Sequence, residues 1–416
     1  MVTQEDVVYV RQIVQGILVP CVFVIGLLGN SVSIVVLTSK RMRSSTNVYL
    51  TALAITDIIY LTMVMLLSLQ HYETVHLHYE IYWKFYGLVI WLTDGCAYLS
   101  IYIAVCFTTE RFIVIRYPLK GKTVCTISLA KKVIAGVAVF CLLSTISTAF
   151  EHKAGSVQKL MDNNGKWCDE EKLSKLSLTI VNSTQIQENI PNNEAQFEKE
   201  FDSIHMLAES WQNDSSRMDV KNIENYECHN VTYYQNGPSS LGQNQTYINY
   251  FFILTSTIFV FIPLGILATF NFFLIVLVRR SKHRRGEMTN ASCRRSTRKS
   301  SNNVSQENRI TVTLIAVVIL FIICQLPWAI YLIVPEIIKI DENLRSIIGN
   351  IFNFLAAINA ACNFFLYCVL SDKYRKTVKE LIVGYKYKRR NMSISTTYVP
   401  STRRYRPASQ MKKTNP

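Results

Sequence analysis

A carboxylate set in the middle of an apolar run is the first group in this chain that demands a chemical account. Asp57 ends the string Leu53-Ala54-Ile55-Thr56-Asp57, and Asn30, Asn359 and Asn363 stand at similar depths in other apolar runs. Charges in such runs are costly, so they are functional hypotheses by default. An isolated carboxylate there would take up a proton, whereas one facing hydroxyls, amides and a cation can stay ionised. Two readings stay open: a hydrogen-bonded polar cluster that holds helices together, or coupling to an ion or proton. Glu110-Arg111-Phe112 closes another run. Its adjacent charges can satisfy each other, and Arg111 can also reach an acidic group on a neighbouring helix. Pro263 and Pro327 lie inside two further runs, where each removes a backbone hydrogen bond and favours a kink.

Metal and hydrolytic chemistry are poorly served. His76-x-His78 is the only close histidine pair in the sequence, and no HExxH or paired-thiolate motif completes a metal site. The chain reads as a non-enzyme.

The elements that position these groups are the runs themselves. Residues 13–37 contain no charged side chain, and at about 1.5 Å per residue such a run crosses a hydrocarbon core of roughly 30 Å. Six more lie at 48–69, 86–109, 133–150, 250–278, 310–334 and 347–370. Long apolar stretches without alternation select helices, which satisfy their own backbone in lipid. The expected fold is an all-α membrane protein, a bundle of seven transmembrane helices over residues 13–370. The expected flanks are an extracellular N-terminus at 1–12 and a cytoplasmic tail at 371–416.

The net charge of +15 would suggest nucleic acid in a soluble protein. Here the basic residues gather in alternate connections, at 40–43, 110–132, 279–309 and 372–416, while the intervening ones are acidic. Lys and Arg near the membrane mark the cytoplasmic side, so the N-terminus is expected outside and no nucleic acid is expected. The N-terminus shows no cleavage site, and the first run is expected to act as signal anchor.

Two connections are long. The outer one, 152–249, is rich in Asn, Gln, Glu and Ser, a composition that predicts a largely mobile insertion. It carries glycosylation sequons at Asn182, Asn213, Asn230 and Asn244, whereas those at Asn290, Asn303 and Asn391 fall on the cytoplasmic side and should be silent. The inner one, 279–309, is basic. After the last run, Tyr374, Val378, Leu381 and Ile382 share one helical face, which predicts a short amphipathic helix on the inner leaflet. Lys386 to Arg390 would be drawn to anionic membrane lipids. Beyond them, hydroxyl residues from Ser393 to Thr402 are candidate phosphorylation sites.

Taken in order, these strings resemble the rhodopsin-like (class A) G-protein-coupled receptors, and among them most resemble invertebrate neuropeptide receptors of the FMRFamide-receptor type. Gly29-Asn30 marks the first span, Thr46 to Asp57 the second, and Glu110-Arg111-Phe112 with Tyr117-Pro118-Leu119 the third. Phe321-x-x-Cys324-x-x-Pro327 marks the sixth, and Asn363 to Tyr367 followed by Tyr374-Arg375 the seventh.

The resemblance implies that Asp57, Ser100, Asn359 and Asn363 bind an allosteric sodium ion, and that no other cofactor is needed. It implies that Ile101, Pro263 and Phe321 repack on activation, with Pro327, Asn363 and Tyr367 in the same switch. Glu307 would lock Arg111 until the sixth helix swings outward to admit a heterotrimeric G protein. Arrestin and a receptor kinase would act at the tail, and the protein would sit in the plasma membrane.

There are departures. Tyr86 stands where the family has a cysteine bridged to the second outer loop, so the alternatives are a bridge between Cys168 and Cys228 or two free thiols. Gln325 replaces a tryptophan, Phe364 a proline and Asn271 a tyrosine, and the fourth span lacks its tryptophan.

The expected ligand is an amidated, cationic peptide held by Asp94, Tyr98, Gln325, Trp328, Tyr331 and Asn353 through charge pairing and aromatic contact. A bracing role for Asp94 is the competing reading. A lipid or other small ligand is the alternative within the receptor class, and a channel or transporter lies further off, since no internal repeat is seen.

Overall fold

A computed structural model describes residues 2–163, 165–168, 228–289, 316, 319–320, 322–327, 330 and 341–395. The helices are α1 (Gln4–Thr38), α2 (Ser45–Ser68), α3 (Glu73–His78), α4 (Glu80–Arg116), α5 (Pro118–Val124), α6 (Ile127–Ser144), α7 (Gln245–Thr289), α8 (Glu342–Leu370) and α9 (Asp372–Ser395). Two strands, β1 (His152–Asp162) and β2 (Cys228–Pro238), pair antiparallel. Among the described residues six helices are long and apolar enough to cross a membrane. The expected sixth span, 310–334, falls largely outside the described residues, although those described within it are helical.

The described chain divides into two compact units, one from Met1–Ser68, Trp91–Ile146 and Asn249–Pro416, the other from Leu69–Ile90 and Ser147–Ile248. In the first, Leu50, Leu53, Ile103, Phe107 and Leu267 form a buried core shared by α2, α4 and α7. Large apolar side chains such as Leu28, Val35, Leu143 and Phe272 remain exposed, as expected of helices that present an apolar surface to lipid.

Local chemistry sets the helix ends. Thr3 Oγ1 accepts from the Asp6 amide while the Asp6 carboxylate accepts from the Thr3 amide, a reciprocal cap that starts α1 at Gln4. The first helix therefore begins well before residue 13, and residues before it are helical, with Val7 only 2% exposed. Asn244, Thr126 and Asp341 cap α7, α6 and α8 in the same manner, each accepting from an amide three residues on.

Both membrane prolines in α1 and α7 follow a widened turn, Val14–Leu18 before Pro20 and Thr257–Phe261 before Pro263. In those turns each amide donates five residues back, as Val19 does to Val14 and Ile262 to Thr257. Proline has no N–H, so the next carbonyls, those of Gln15 and Ile258, lose their donors. A side chain from a neighbouring helix replaces each one. Ser68 Oγ donates to Gln15 O at 2.7 Å, and Tyr102 Oη donates to Ile258 O at 2.8 Å. Proline in membrane helices is tolerated through such substitutes.

We expect Ser68→Ala and Tyr102→Phe each to cost about 1–3 kcal/mol, the penalty for a buried carbonyl left unpaired. The thermal midpoint of purified protein should fall in both and stay unchanged in Ser31→Ala, whose hydroxyl serves only the exposed turn of its own helix. Equal midpoints in all three would remove this account of the bulges.

In the second unit β1 and β2 form a hairpin whose register pairs Leu160 with Asn230 and Asp162 with Cys228. After β1 the chain reverses at Gly165, whose φ of +76° suits glycine, with the Lys166 amide donating to Asp162 Oδ1 at 2.7 Å. The reversal brings Cys168 beside β2, where it bridges Cys228 across a Cα–Cα distance of 6.6 Å. Of the two alternatives left open, the disulfide is the one formed.

One expectation needs correction here: the protein is not purely α, because the two ends of the 152–249 connection pair as β1 and β2. Those ends are rich in β-formers, Val157, Val231, Thr232, Tyr233 and Tyr234, a local signal submerged when composition is averaged over the whole connection. A second correction concerns α9, which runs to Ser395 rather than stopping after one short amphipathic stretch.

Candidate functional site

The polar groups singled out in the sequence converge in the first unit. Asp57, 2% exposed, accepts from Asn363 Nδ2 at 2.7 Å and from Ser100 Oγ at 3.2 Å, which joins α2, α4 and α8. Asn359, one turn before Asn363, is also buried. Asn30 in α1 donates to Ala360 O at 2.9 Å. Among the described residues no Lys, Arg or His pairs with Asp57. Asn363 turns its amide nitrogen to Asp57, so it braces the carboxylate in this arrangement.

Toward the other end of α4, Glu110 is buried and accepts from Ser45 Oγ at 2.8 Å and Thr46 Oγ1 at 2.9 Å. Arg111 lies 3.8 Å from the same carboxylate oxygen. Phe112 packs against Phe270 and Phe273 of α7. Ile101 and Pro263 are both buried in the core. Asn271 spends its amide on Leu267 O at 2.9 Å, within its own helix.

The end of α8 is fastened to α1 and α9. Ser33 Oγ lies 3.0 Å from Gly29 O and 3.2 Å from Tyr374 Oη. Its one proton goes to the carbonyl, which makes Tyr374 the donor of the second bond. The Tyr374 ring, fully buried, packs on Tyr367 and Phe364. The Tyr367 hydroxyl is buried with no hydrogen-bond partner among the described residues. On the surface Arg41 pairs with Glu380 of α9. That bond holds the Glu380 carboxyl below the usual carboxylate range and raises the Arg41 guanidinium.

Asp94 is half-buried in α4, close enough to Tyr60 and Tyr98 to act on both hydroxyls. Tyr98 stacks on Phe259 at 4.6 Å. Asn353 is exposed and Gln325 half-buried, and Pro327 is helical. Trp328, Tyr331, Phe321, Glu307, Asn182 and Asn213 lie outside the described residues. Asn230 and Asn244 are exposed, as a sugar acceptor requires.

Tyr86, where the resemblance leads one to look for a bridged cysteine, is buried in the second unit with its hydroxyl donating to Gln70 Oε1 at 2.7 Å. Its ring meets His152 edge-on. Burial pushes the His152 imidazole down from its ordinary range, with Glu151 opposing, and the neutral ring nitrogen accepts from Asn236 Nδ2 at 2.9 Å.

Sequence reasoning did not find Ser45 and Thr46 as partners of Glu110, nor Ser68 and Gln15 at the first bulge. Their only signal is a hydroxyl at the start or end of an apolar run, which is too common to single out.

Two family models match the chain. One, for seven-transmembrane receptors of the rhodopsin family, matches residues 29–187, and one for serpentine-type seven-transmembrane G-protein-coupled chemoreceptors of the Srw class matches 203–384. The sex peptide receptor of Drosophila melanogaster is 22% identical over 388 residues, which are 89% of this chain and 72% of that receptor. The thyrotropin-releasing hormone receptor of Mus musculus is 32% identical over 155 residues, 34% of this chain and 36% of that receptor. The FMRFamide receptor of Drosophila melanogaster is 33% identical over 122 residues, 28% of this chain and 22% of that receptor.

Proposed function

We propose that the chain works as a rhodopsin-like G-protein-coupled receptor, not an enzyme, and that it answers an extracellular amidated peptide carrying a positive charge. The observation that supports the ligand class is Asp94, a half-buried carboxylate whose charge acts on Tyr60 and Tyr98, in a chain similar to a sex peptide receptor and an FMRFamide receptor. The carboxylate would pair with an Arg or Lys of the peptide, and the aromatic residues would take its amidated end.

In this reading the protein spans the plasma membrane seven times, with its N-terminus outside and the basic connections facing the cytoplasm. The ligand favours a state in which Arg111 is released and the sixth helix moves out to admit a G protein. The tail beyond Ser395 would serve a receptor kinase and arrestin, and the basic end of α9 would meet anionic lipid. The oxygen set of Asp57, Ser100 and Asn359 fits a sodium ion, which would supply the positive charge missing around Asp57 and so weight the state in which these groups are together. With the hairpin and the start of α7 outside, the exposed Asn230 and Asn244 would be open to glycosylation.

The test is a screen of amidated neuropeptides against lipid extracts in cells expressing the receptor, read by calcium and cyclic AMP. Once an activating peptide is found, Asp94→Asn should raise its half-maximal concentration at least about tenfold, the loss of one charge-assisted contact. A peptide whose cationic residue is replaced by a neutral isostere should be insensitive to the substitution. Equal potency of wild type and Asp94→Asn for every activating peptide would remove Asp94 from the ligand site.

A further inference from the structure

We propose that His76 is a proton-binding site that fastens the β hairpin to the segment between α2 and α4. Its imidazolium holds the two together, and the neutral ring releases one of them. The inference rests on the receptor reading only in taking the proton from the extracellular medium.

The argument starts from two acceptors. His76 Nδ1 lies 2.8 Å from Tyr234 O on β2, and Nε2 lies 2.8 Å from Gln70 O in the turn after α2. Backbone carbonyls only accept, and a neutral imidazole has a single N–H. Neither tautomer can make both bonds, so the full arrangement needs both ring nitrogens protonated. Turning the ring over would offer a C–H to each carbonyl and make neither bond.

The surroundings suit a cation. The Tyr233 ring stacks on the imidazole at 4.3 Å and 9°, and Trp83 lies against it at 4.7 Å. Aromatic faces attract positive charge. Other charged and titratable groups act from each packed element. On α3 itself are Glu73, which acts on Tyr233, and His78. On β1, Lys159 sits 3.8 Å from the Tyr233 ring centre and opposes a second positive charge nearby. On α4, Lys84 acts on Tyr234 and is paired with Glu80, while Tyr82 packs on Trp83. His71 lies next to Gln70 in the turn. Glu73 and Lys159 oppose one another, which leaves the two carbonyls and the aromatic faces as the selective feature for the charged ring.

The consequence is mechanical. His76 is the side chain through which β2, the Gln70 turn and α3 are bonded to one ring, and β2 carries Cys228 of the disulfide. Loss of one proton must break the bond to Tyr234 or the bond to Gln70, so alkaline medium loosens the hairpin and acid tightens it.

Amide hydrogen exchange of the full-length receptor in lipid nanodiscs tests this without ligand or G protein, so failure to find a peptide leaves the result intact. Wild type and His76→Gln are compared at the same pH, and the ratio of their rates over Cys228–Pro238 cancels the intrinsic pH dependence of exchange. Glutamine is neutral and can serve one carbonyl only. At about pH 5.5 the wild-type strand should exchange roughly tenfold more slowly than the variant, and at about pH 8.5 the ratio should approach one.

His76→Arg, a permanent cation with several N–H donors, should keep the strand slow at both pH values, while His78→Gln should match wild type throughout. The proposal is overturned if the wild-type to His76→Gln ratio is the same at both pH values, or if the Arg variant retains the wild-type pH dependence.

Discussion

Receptor with alanine at both Gly26 and Gly29 is expected to reach the cell surface at less than about a tenth of the wild-type level. A methyl group on Gly26 would come 2.3 Å from Leu61 Cδ1 and 3.1 Å from the Ala361 methyl, with the Ala361 backbone at 3.3 Å. Leu61 is 2% exposed and has no room to rotate away, and Ala361 has no rotamer to change. On Gly29 the added methyl would meet Phe364 Cβ at 2.9 Å. Gly26 thus faces Leu61 of α2 and Ala361 of α8, and Gly29 faces Phe364 of α8, so relief requires α1 to move away from α8 along their seam and, at Gly26, from α2 as well. Overpacking of this kind costs about 1–3 kcal/mol at each site. Separation also strains bonds that cross the same seam, Asn30 to Ala360 O and Gln15 to Asn350, both 2.9 Å. Surface immunolabelling and the thermal midpoint of purified protein measure the effect. Gly136→Ala and Gly265→Ala, where the methyl meets nothing within 4 Å, serve as controls and should express normally. A double variant with wild-type expression and midpoint would show that the close approach is not required.

The same seam shows how far the sequence could be read. Helical spans were legible because an apolar run of sufficient length has one low-energy form in lipid, and those over Asp57, Asp94 and Asn363 lie where expected. The start of α1 was not, because Glu5, Asp6 and Arg11 lower the apparent hydropathy of a stretch whose Val7 is nevertheless buried. Thr3-x-x-Asp6 was the available signal. The hairpin was hidden by a polar average, though its alternate β-branched and aromatic residues were in view.

At the site, Asp57 and the asparagines could be named as costly groups, but that Ser100 and Asn363 both face Asp57 is a matter of helix rotation, which one sequence does not encode locally. Likewise Pro263 was legible as a backbone defect, while its remedy, Tyr102, lies in another helix. Burial of a polar group is a local inference, whereas the identity of its partner depends on packing between elements far apart in the chain.

Glu110→Ala is expected to raise ligand-free G-protein activation about tenfold at matched surface expression. Glu110 Oε1 receives hydroxyl bonds from Ser45 and Thr46 at the start of α2, and the same atom lies 3.8 Å from Arg111. The carboxylate thus holds α2 to α4 and restrains the guanidinium. Bonds to a charged acceptor contribute about 1.5–3 kcal/mol each, and 1.4 kcal/mol is a factor of ten in a two-state equilibrium, so partial loss of this set is enough to raise a minor active population tenfold.

Glu110→Gln separates the two roles. Its amide oxygen can still accept from both hydroxyls, but it has no charge for Arg111. If Glu110→Gln behaves as Glu110→Ala, the ion pair carries the restraint; if it behaves as wild type, the hydroxyl pair does. Arg111→Ala should be silent in the same assay, with or without Glu110, because the group that engages the G protein is then gone. Basal activity of Glu110→Ala equal to that of wild type would mean that the contacts around this carboxylate do not distinguish the inactive state from the active one.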